Sequence, residues 1–403
     1  MKNKKVAALL MACVLAVSSL AGCGGSSDTA KETSSEEETE EAAESSSEGS
    51  STMESIKIGL VAPISGDNGI YGTSQMQGYE LAMNEINASG GVNGAMLELE
   101  TYDDQGDAQK AASGAQKFAD DDSILAIGGS CLSSCTLAMV PIIDDAGLPD
   151  LVVSSSSPNL TGSSEYFFRM SVQDTAVGPQ IADVILSKEK TNVVVLYPDN
   201  DYGINLNENL VSYGEEKGLN ILESITYLTT DQDYTAILTK VKDLNPEAIA
   251  LCGTTTDSGL LVKQIKQLGI DALLVGGTGP YNSKTIEIAG SASEGMLCVG
   301  VYVATNPDEK VQALVQKYEE AYGEKPDGFA ALAYDQMYVI AEAAKAAMDA
   351  NGGEVTRETL KDALKDVNYD GVTGTVTFND VNDWERPYLT LKVVDGAFVL
   401  DEE

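Results

Sequence analysis

The side chains best placed for chemistry are hydroxyls gathered in glycine-rich stretches: "GGSCLSSC", "VVSSSSP", "CGTTTDSG" and "GGTGPYN". A serine or threonine becomes a nucleophile only beside a base, and the usual base is missing, because the 403 residues contain no histidine. That removes the Ser-His-Asp and Cys-His arrangements and the commonest metal ligand. "GGSCLSSC" lacks the Gly-x-Ser-x-Gly pattern of a nucleophile elbow, and no Gly-Lys-Ser/Thr follows "GGTGPYN", so it is not a phosphate loop. The neighbours Asp103 and Asp104 point to opposite sides of an extended chain, which predicts a structural strand end rather than a catalytic pair. Cysteine spacing offers no zinc site. The expectation is a protein that is not an enzyme and carries neither metal nor cofactor. Hydroxyls and backbone N–H groups beside glycine are suited to holding a small polar or anionic ligand.

These loops must be positioned by regular elements, and the chain supplies them in alternation. Apolar β-rich runs such as "IKIGLVAPIS", "ILAIGGS", "NVVVLYP", "AIALCG" and "LLVGGTG" are separated by segments of helical periodicity. Met76, Tyr79, Met83 and Ile86 form one helical stripe; Val311, Leu314, Val315, Tyr318 and Tyr322 form another, with Asn306 as cap and Pro307 at the first helical position. Continuous apolar strands alternating with helices predict parallel sheets covered on both faces. The length exceeds one compact core, so the predicted class is α/β, with two doubly wound lobes. Ligands in such sheets bind beyond the carboxyl ends of the strands, where "APISGDNGIYG", "GGSCLSSC", "SSSSPN", "YPDNDYG", "CGTTTDSG" and "GGTGPYN" fall. Any one of these loops also reads as an ordinary turn. Together they point to a cleft.

The amino terminus has a different logic. "MKNKK" is a basic n-region and "VAALLMACVLAV" an apolar stretch too short to span a bilayer, so residues 1–22 read as a signal peptide. It ends in "LAGC", which resembles the lipobox of bacterial lipoproteins and predicts lipidation of Cys23. Residues 23–54, rich in Ser and Glu, contain almost nothing to bury and read as a solvated acidic tether. The predicted location is the extracytoplasmic face of the cell membrane, held by lipid alone. With 63 acids against 25 bases, nucleic acid is not an expected partner. Cys252 and Cys298 sit in apolar runs as core residues, whereas Cys131 and Cys135 have a spacing that permits a disulfide without requiring one.

The ordered blocks "IKIGLVAPISGDNGIYG", "GYELAMNEINASGGVNG", "LELETYDDQGD", "DYGINL", "GFAALAYDQMY" and "GVTGTVTFND" resemble the periplasmic leucine/isoleucine/valine-binding protein family from about Ile56 onward. The resemblance implies a type I fold of two lobes joined by a three-strand hinge. Lobe one would be residues 55–173 plus 303–378, and lobe two residues 174–302 plus 379–403. It implies a cleft that closes over a solute and docks on the permease of an ABC importer with its ATPase subunits. Hydroxyls matching its carboxylate site fall on Ser133, Ser154 and Ser156, with Ser134 replacing Ser133 if the loop carries an extra residue. Tyr71 and Phe329 match aromatic cleft positions of lobe one, and Tyr202 one of lobe two. Thr254 stands where an aromatic is usual. Thr278 stands where amino-acid binders carry the acid that pairs with the ligand's ammonium. Asp257 and Asp201 are the nearest substitutes in sequence, though Asp257 also reads as an N-cap. Cys131 matches one partner of the family's disulfide, but the other position is Gly106. The implied function is capture of a branched-chain-like amino acid or related small carboxylate. The alternatives are a sensing module that partners a chemoreceptor or sensor kinase, and a binder of an amide or organic acid. No apolar stretch long enough to cross a membrane follows before Glu403, so a free-standing module is expected rather than a fused receptor ectodomain.

Overall fold

The computed structural model describes residues 53–401, and the expected signal peptide, Cys23 and most of the acidic tether lie outside them. The first sheet comprises β1 (Ser55–Ala62), β2 (Met96–Asp103), β3 (Ile124–Gly128), β4 (Asp150–Val152) and β5 (Phe167–Arg169), all parallel, in the order β2-β1-β3-β4-β5. The second comprises β6 (Asn192–Pro198), β7 (Asn220–Tyr227), β8 (Ala248–Leu251), β9 (Leu273–Gly276) and β10 (Leu297–Gly300), parallel in the order β7-β6-β8-β9-β10. The two orders are the same. Strands β3 and β8 are buried along their whole length, as continuous apolar runs covered on both faces must be.

The helices α1 (Gly69–Ala88), α2 (Ala108–Ala119) and α3 (Ser133–Ala146) connect strands of the first sheet. Those of the second are α4 (Asp174–Ser187), α5 (Asp201–Lys217), α6 (Thr235–Leu244), α7 (Thr255–Gln267) and α8 (Ser283–Ala289). The chain then returns: α9 (Glu309–Tyr322), α10 (Gly328–Ala350) and α11 (Arg357–Lys365) pack back onto the first sheet. Gln336 of α10 donates to the Leu151 carbonyl and Arg357 of α11 to that of Ile124. A hairpin of β11 (Tyr369–Gly371) and β12 (Gly374–Val376) precedes the last crossing. Finally β13 (Leu389–Val394) and β14 (Ala397–Leu400) join the second sheet antiparallel beside β10, an edge hairpin that the apolar pattern does not announce.

Two helical details differ from the sequence reading. The N-cap of α9 is Asp308, whose carboxylate accepts from the Lys310 and Val311 N–H groups, and Asn306 instead accepts from the Asp308 N–H. On α1, Met76 and Met83 are only half-buried. The buried face carries Gln75, Gly78, Tyr79, Ala82 and Ile86, because small residues let α10 approach. A Cβ at Gly78 would lie 2.3 Å from the Ala330 carbonyl oxygen.

The chain passes between the sheets three times, near residues 170–173, 301–308 and 377–388. Arg169 and Asp383 tie the first crossing to the third. The guanidinium Nε and Nη2 donate to the two carboxylate oxygens at 2.7 and 2.8 Å, and both side chains are fully buried. Ser157 O and Gln173 Nε2 complete the network, so the buried charges are paired and hydrogen-bonded.

Candidate ligand-binding site

In a sheet of order 2-1-3-4-5 the crevice opens where the strand order reverses, between the first and third strands. Here that point lies between β1 and β3 in one sheet and between β6 and β8 in the other. The two crevices face each other across a cavity of about 100 Å³.

Helix starts line it. Asn68 is the N-cap of α1, Leu132 of α3, Asn200 of α5 and Thr254 of α7, while Gly328 and Phe329 open α10. Tyr71, Ser133, Ser154, Tyr202, Thr254, Thr278 and Phe329 all reach the cavity, and so does Ser134. Ser156 does not. The chain bends after β4 at Val153 and Ser154, which breaks the strand alternation that would put Ser154 and Ser156 on one side. The Ser156 side chain is buried away from the wall.

Local bonding sorts the hydroxyls. Ser133 Oγ accepts from the Ser157 N–H at 3.3 Å, which leaves its own proton to donate. Ser154 Oγ already donates to the Cys131 carbonyl at 3.0 Å. No side chain caps α3, since its N-cap is a leucine and its first turn carries no acid. The first N–H groups of α3 beside Ser133 therefore form a natural seat for an anion. Cys131 lines the cavity as a free thiol, donating to Gln75 Oε1 at 2.9 Å, and Cys135 is free as well. Burial pushes the Cys131 thiol well up, so it is an unreactive packing group.

The turn "GGTGPYN" is held from both sheets. Tyr71 Oη donates to the Gly279 carbonyl at 3.1 Å and accepts from the Thr255 N–H at 2.6 Å, while Gly279 N–H donates to Tyr202 Oη at 3.3 Å. Glycine is required at 279 by close approach: a Cβ there would lie 2.3 Å from the Gly253 carbonyl oxygen. Asn205 to Ser157 and Asn282 to Asp327 add two more hydrogen bonds between residues of the two sheets' connecting segments.

The substitutes for an ammonium-pairing acid are not available. Asp257 is buried in a capping box, with its oxygens taken by the Thr254 N–H, the Thr254 hydroxyl and the Tyr227 hydroxyl. Asp201 is exposed on the first turn of α5, outside the wall. Asp103 and Asp104 serve structure: Asp103 accepts from the Ile64 and Ser65 N–H groups to fix the loop after β1, and Asp104 from the Gly106 N–H. The sequence reading did not single out Asn68, Leu132, Asn200, Val172, Tyr281 or Leu332 as cavity residues. Asn68 and Asn200 could have been found as N-caps at the ends of two strands that flank the reversals.

Residues 55–397 match the family model for periplasmic binding proteins. The chain belongs to that family. It is 32% identical over 337 residues to the leucine-, isoleucine-, valine-, threonine- and alanine-binding protein of Pseudomonas aeruginosa, covering 83% of this chain and 88% of the relative. Among solved structures, the branched-chain amino acid transporter substrate-binding protein of Streptococcus pneumoniae, in complex with isoleucine, superposes with a TM-score of 0.78. It is 28% identical and covers 86% of this chain and 100% of that one. A solute-binding protein of R. palustris in complex with benzoate has a TM-score of 0.80 at 20% identity, over 86% of this chain and 95% of that one, a likeness of fold. Members of the family among these relatives are solute-binding proteins of ABC transporters, not enzymes.

Proposed function

We propose that this protein is the extracytoplasmic solute-binding component of an ABC importer. It captures one small solute, a branched-chain-like amino acid or related carboxylate, and delivers it to the permease. In this reading residues 55–173 plus 303–378 and residues 174–302 plus 379–403 act as two lobes that close by hinging at the three crossings. Lipid on Cys23 holds the protein at the membrane, with residues 23–54 as the tether. Ser133, Ser134 and the uncapped start of α3 bind the carboxylate, while Tyr71, Tyr202 and Phe329 surround the solute's body. The carrying observation is the cavity lined from both reversal points, with the uncapped α3 start at its wall. The relatives named above bind leucine, isoleucine, valine, threonine and alanine, small amino acids of the class proposed here.

A thermal-shift screen of the purified protein against amino acids, short carboxylic acids and their amides tests this. A solute that binds only the folded form raises the melting temperature by mass action. A saturable rise with at least one of them is expected, and no response to any compound would contradict the reading.

A further inference from the structure

We propose that the cavity selects a small organic monoanion, a carboxylic acid with a compact apolar body and no ammonium group. This rests on the solute-binding reading above and narrows its ligand class. Among the described residues, none that lines the cavity is Asp, Glu, Lys or Arg. The wall is neutral in side chains, and its fixed charge comes from backbone. Five helices begin at it, each with the positive end of its dipole directed there. Three of those ends carry a carboxylate: α7 has Asp257 in its capping box, α10 has Asp327, which accepts from the Ala330 N–H, and α5 has Asp201 in its first turn beside the Asn200 cap. The starts of α1 and α3 have neither a side-chain cap nor an acid in the first turn, and the nearest buried acid at α3, Asp104, lies behind Cys131 and Cys135.

A carboxylate suits that field, with the Ser133 proton and the α3 N–H groups to donate to it. An ammonium meets the positive ends of helices and no carboxylate on the wall itself. The oxygens of Asp257 are occupied as described, and those of Asp327 take the Ser74 hydroxyl, Asn282 Nδ2 and the Ala330 N–H. Asp174 near Tyr202 and Asp104 near Cys131 keep oxygens unpartnered among the described residues, but both are fully buried outside the wall. Thr278 reaches the cavity half-exposed and offers only a neutral hydroxyl. The remainder of the wall, including Val153, Val172, Leu332 and Phe329, matches a hydrocarbon or aromatic body.

The test is calorimetric titration of the protein with compounds sharing leucine's skeleton: 4-methylpentanoate, 4-methylpentanamide, 3-methylbutylamine and leucine, with benzoate added as an aromatic acid. The expected result is that one of the two acids binds at least about tenfold tighter than leucine, the amide and the amine. Leucine, the amide or the amine binding as tightly as the acids would overturn the proposal and leave the solute-binding reading intact. Silence from all five would overturn the proposal, while the solute-binding reading falls only if the wider thermal-shift screen is silent as well. Thr278→Asp supplies a second arm, with an unchanged melting temperature of the unliganded variant as the check on folding. A carboxylate facing the ligand should weaken acid binding about tenfold or more and improve that of leucine. Unchanged acid affinity in Thr278→Asp would also overturn the proposal.

Discussion

Tyr71 of α1 reaches across the cavity to Gly279, donating to its carbonyl at 3.1 Å while accepting the Thr255 N–H. One hydroxyl thus joins the start of a helix on the first sheet to two segments of the second. Burial pushes this phenol well above its ordinary range, so it stays a donor at any physiological pH. Tyr71→Phe keeps the ring contact with Phe329, whose centroid lies 4.8 Å away, and removes only the bridge. A net hydrogen bond of about 0.5–1.5 kcal/mol predicts an affinity loss of roughly two- to tenfold for the tightest solute found in screening. Unchanged affinity by calorimetry would show that the bridge does not stabilise the bound state.

The serines should separate cleanly. Ser133→Ala removes a free proton from the cavity wall and should weaken an anionic solute about tenfold or more, since a hydrogen bond to a charged group is worth about 1.5–3 kcal/mol. Ser156→Ala, at a side chain buried outside the wall, should leave affinity within about twofold. The reverse ranking in a titration would relocate the carboxylate site.

At the crossings, Arg169→Ala would strand the fully buried Asp383 carboxylate. Breaking one partner of such a pair costs about 3–5 kcal/mol. Chemical denaturation should show that loss as a lower midpoint. A change under about 1 kcal/mol would mean that water reaches the pair.

Four buried or half-buried acids set the pH dependence of stability. Burial pushes Asp150 up to about 8 and Asp174 to about 7, and it pushes Asp327 and Asp335 to about 6. Neither oxygen of Asp150 has a hydrogen-bond partner among the described residues. An unfolded aspartate titrates near 3.9. The native state therefore holds extra protons above that pH, and the stability they contribute is lost as pH rises through about 6 to 8. The melting temperature should be higher at pH 5 than at pH 8, and Asp150→Asn should shrink the difference. A wild-type protein more stable at pH 8 would contradict these assignments.

Membrane attachment is a separate prediction. Cys23→Ala should release the protein from washed membranes, since a short lipid-free acidic segment has no affinity for an anionic bilayer. Retention of that variant would point to another anchor.

Much of the fold was legible because continuous apolar runs between helical segments admit few arrangements. The parallel sheets and the loops at their carboxyl ends follow from that pattern. The edge hairpin β13–β14 did not, because "LTLKVV" and "AFVL" carry no signal for strand direction. Tyr71, Ser133, Ser154, Tyr202, Thr254, Thr278 and Phe329 converge on one cavity, whereas Ser156 is turned away by a bend that side-chain type does not encode. Which hydroxyls keep a free proton was equally hidden, since that depends on carbonyls brought near by packing, as Cys131 is to Ser154. The balance of charge in the cavity emerges only when five helix starts are assembled, three carrying carboxylates and those of α1 and α3 none.

The most direct test is a crystal structure of the protein with the tightest solute from the screen. One solute molecule should fill the cavity between the sheets, its carboxylate within hydrogen-bond reach of Ser133 Oγ and the first N–H groups of α3, its body against Tyr71, Tyr202 and Phe329. Solute bound elsewhere, or with its carboxylate turned away from Ser133, would contradict the account.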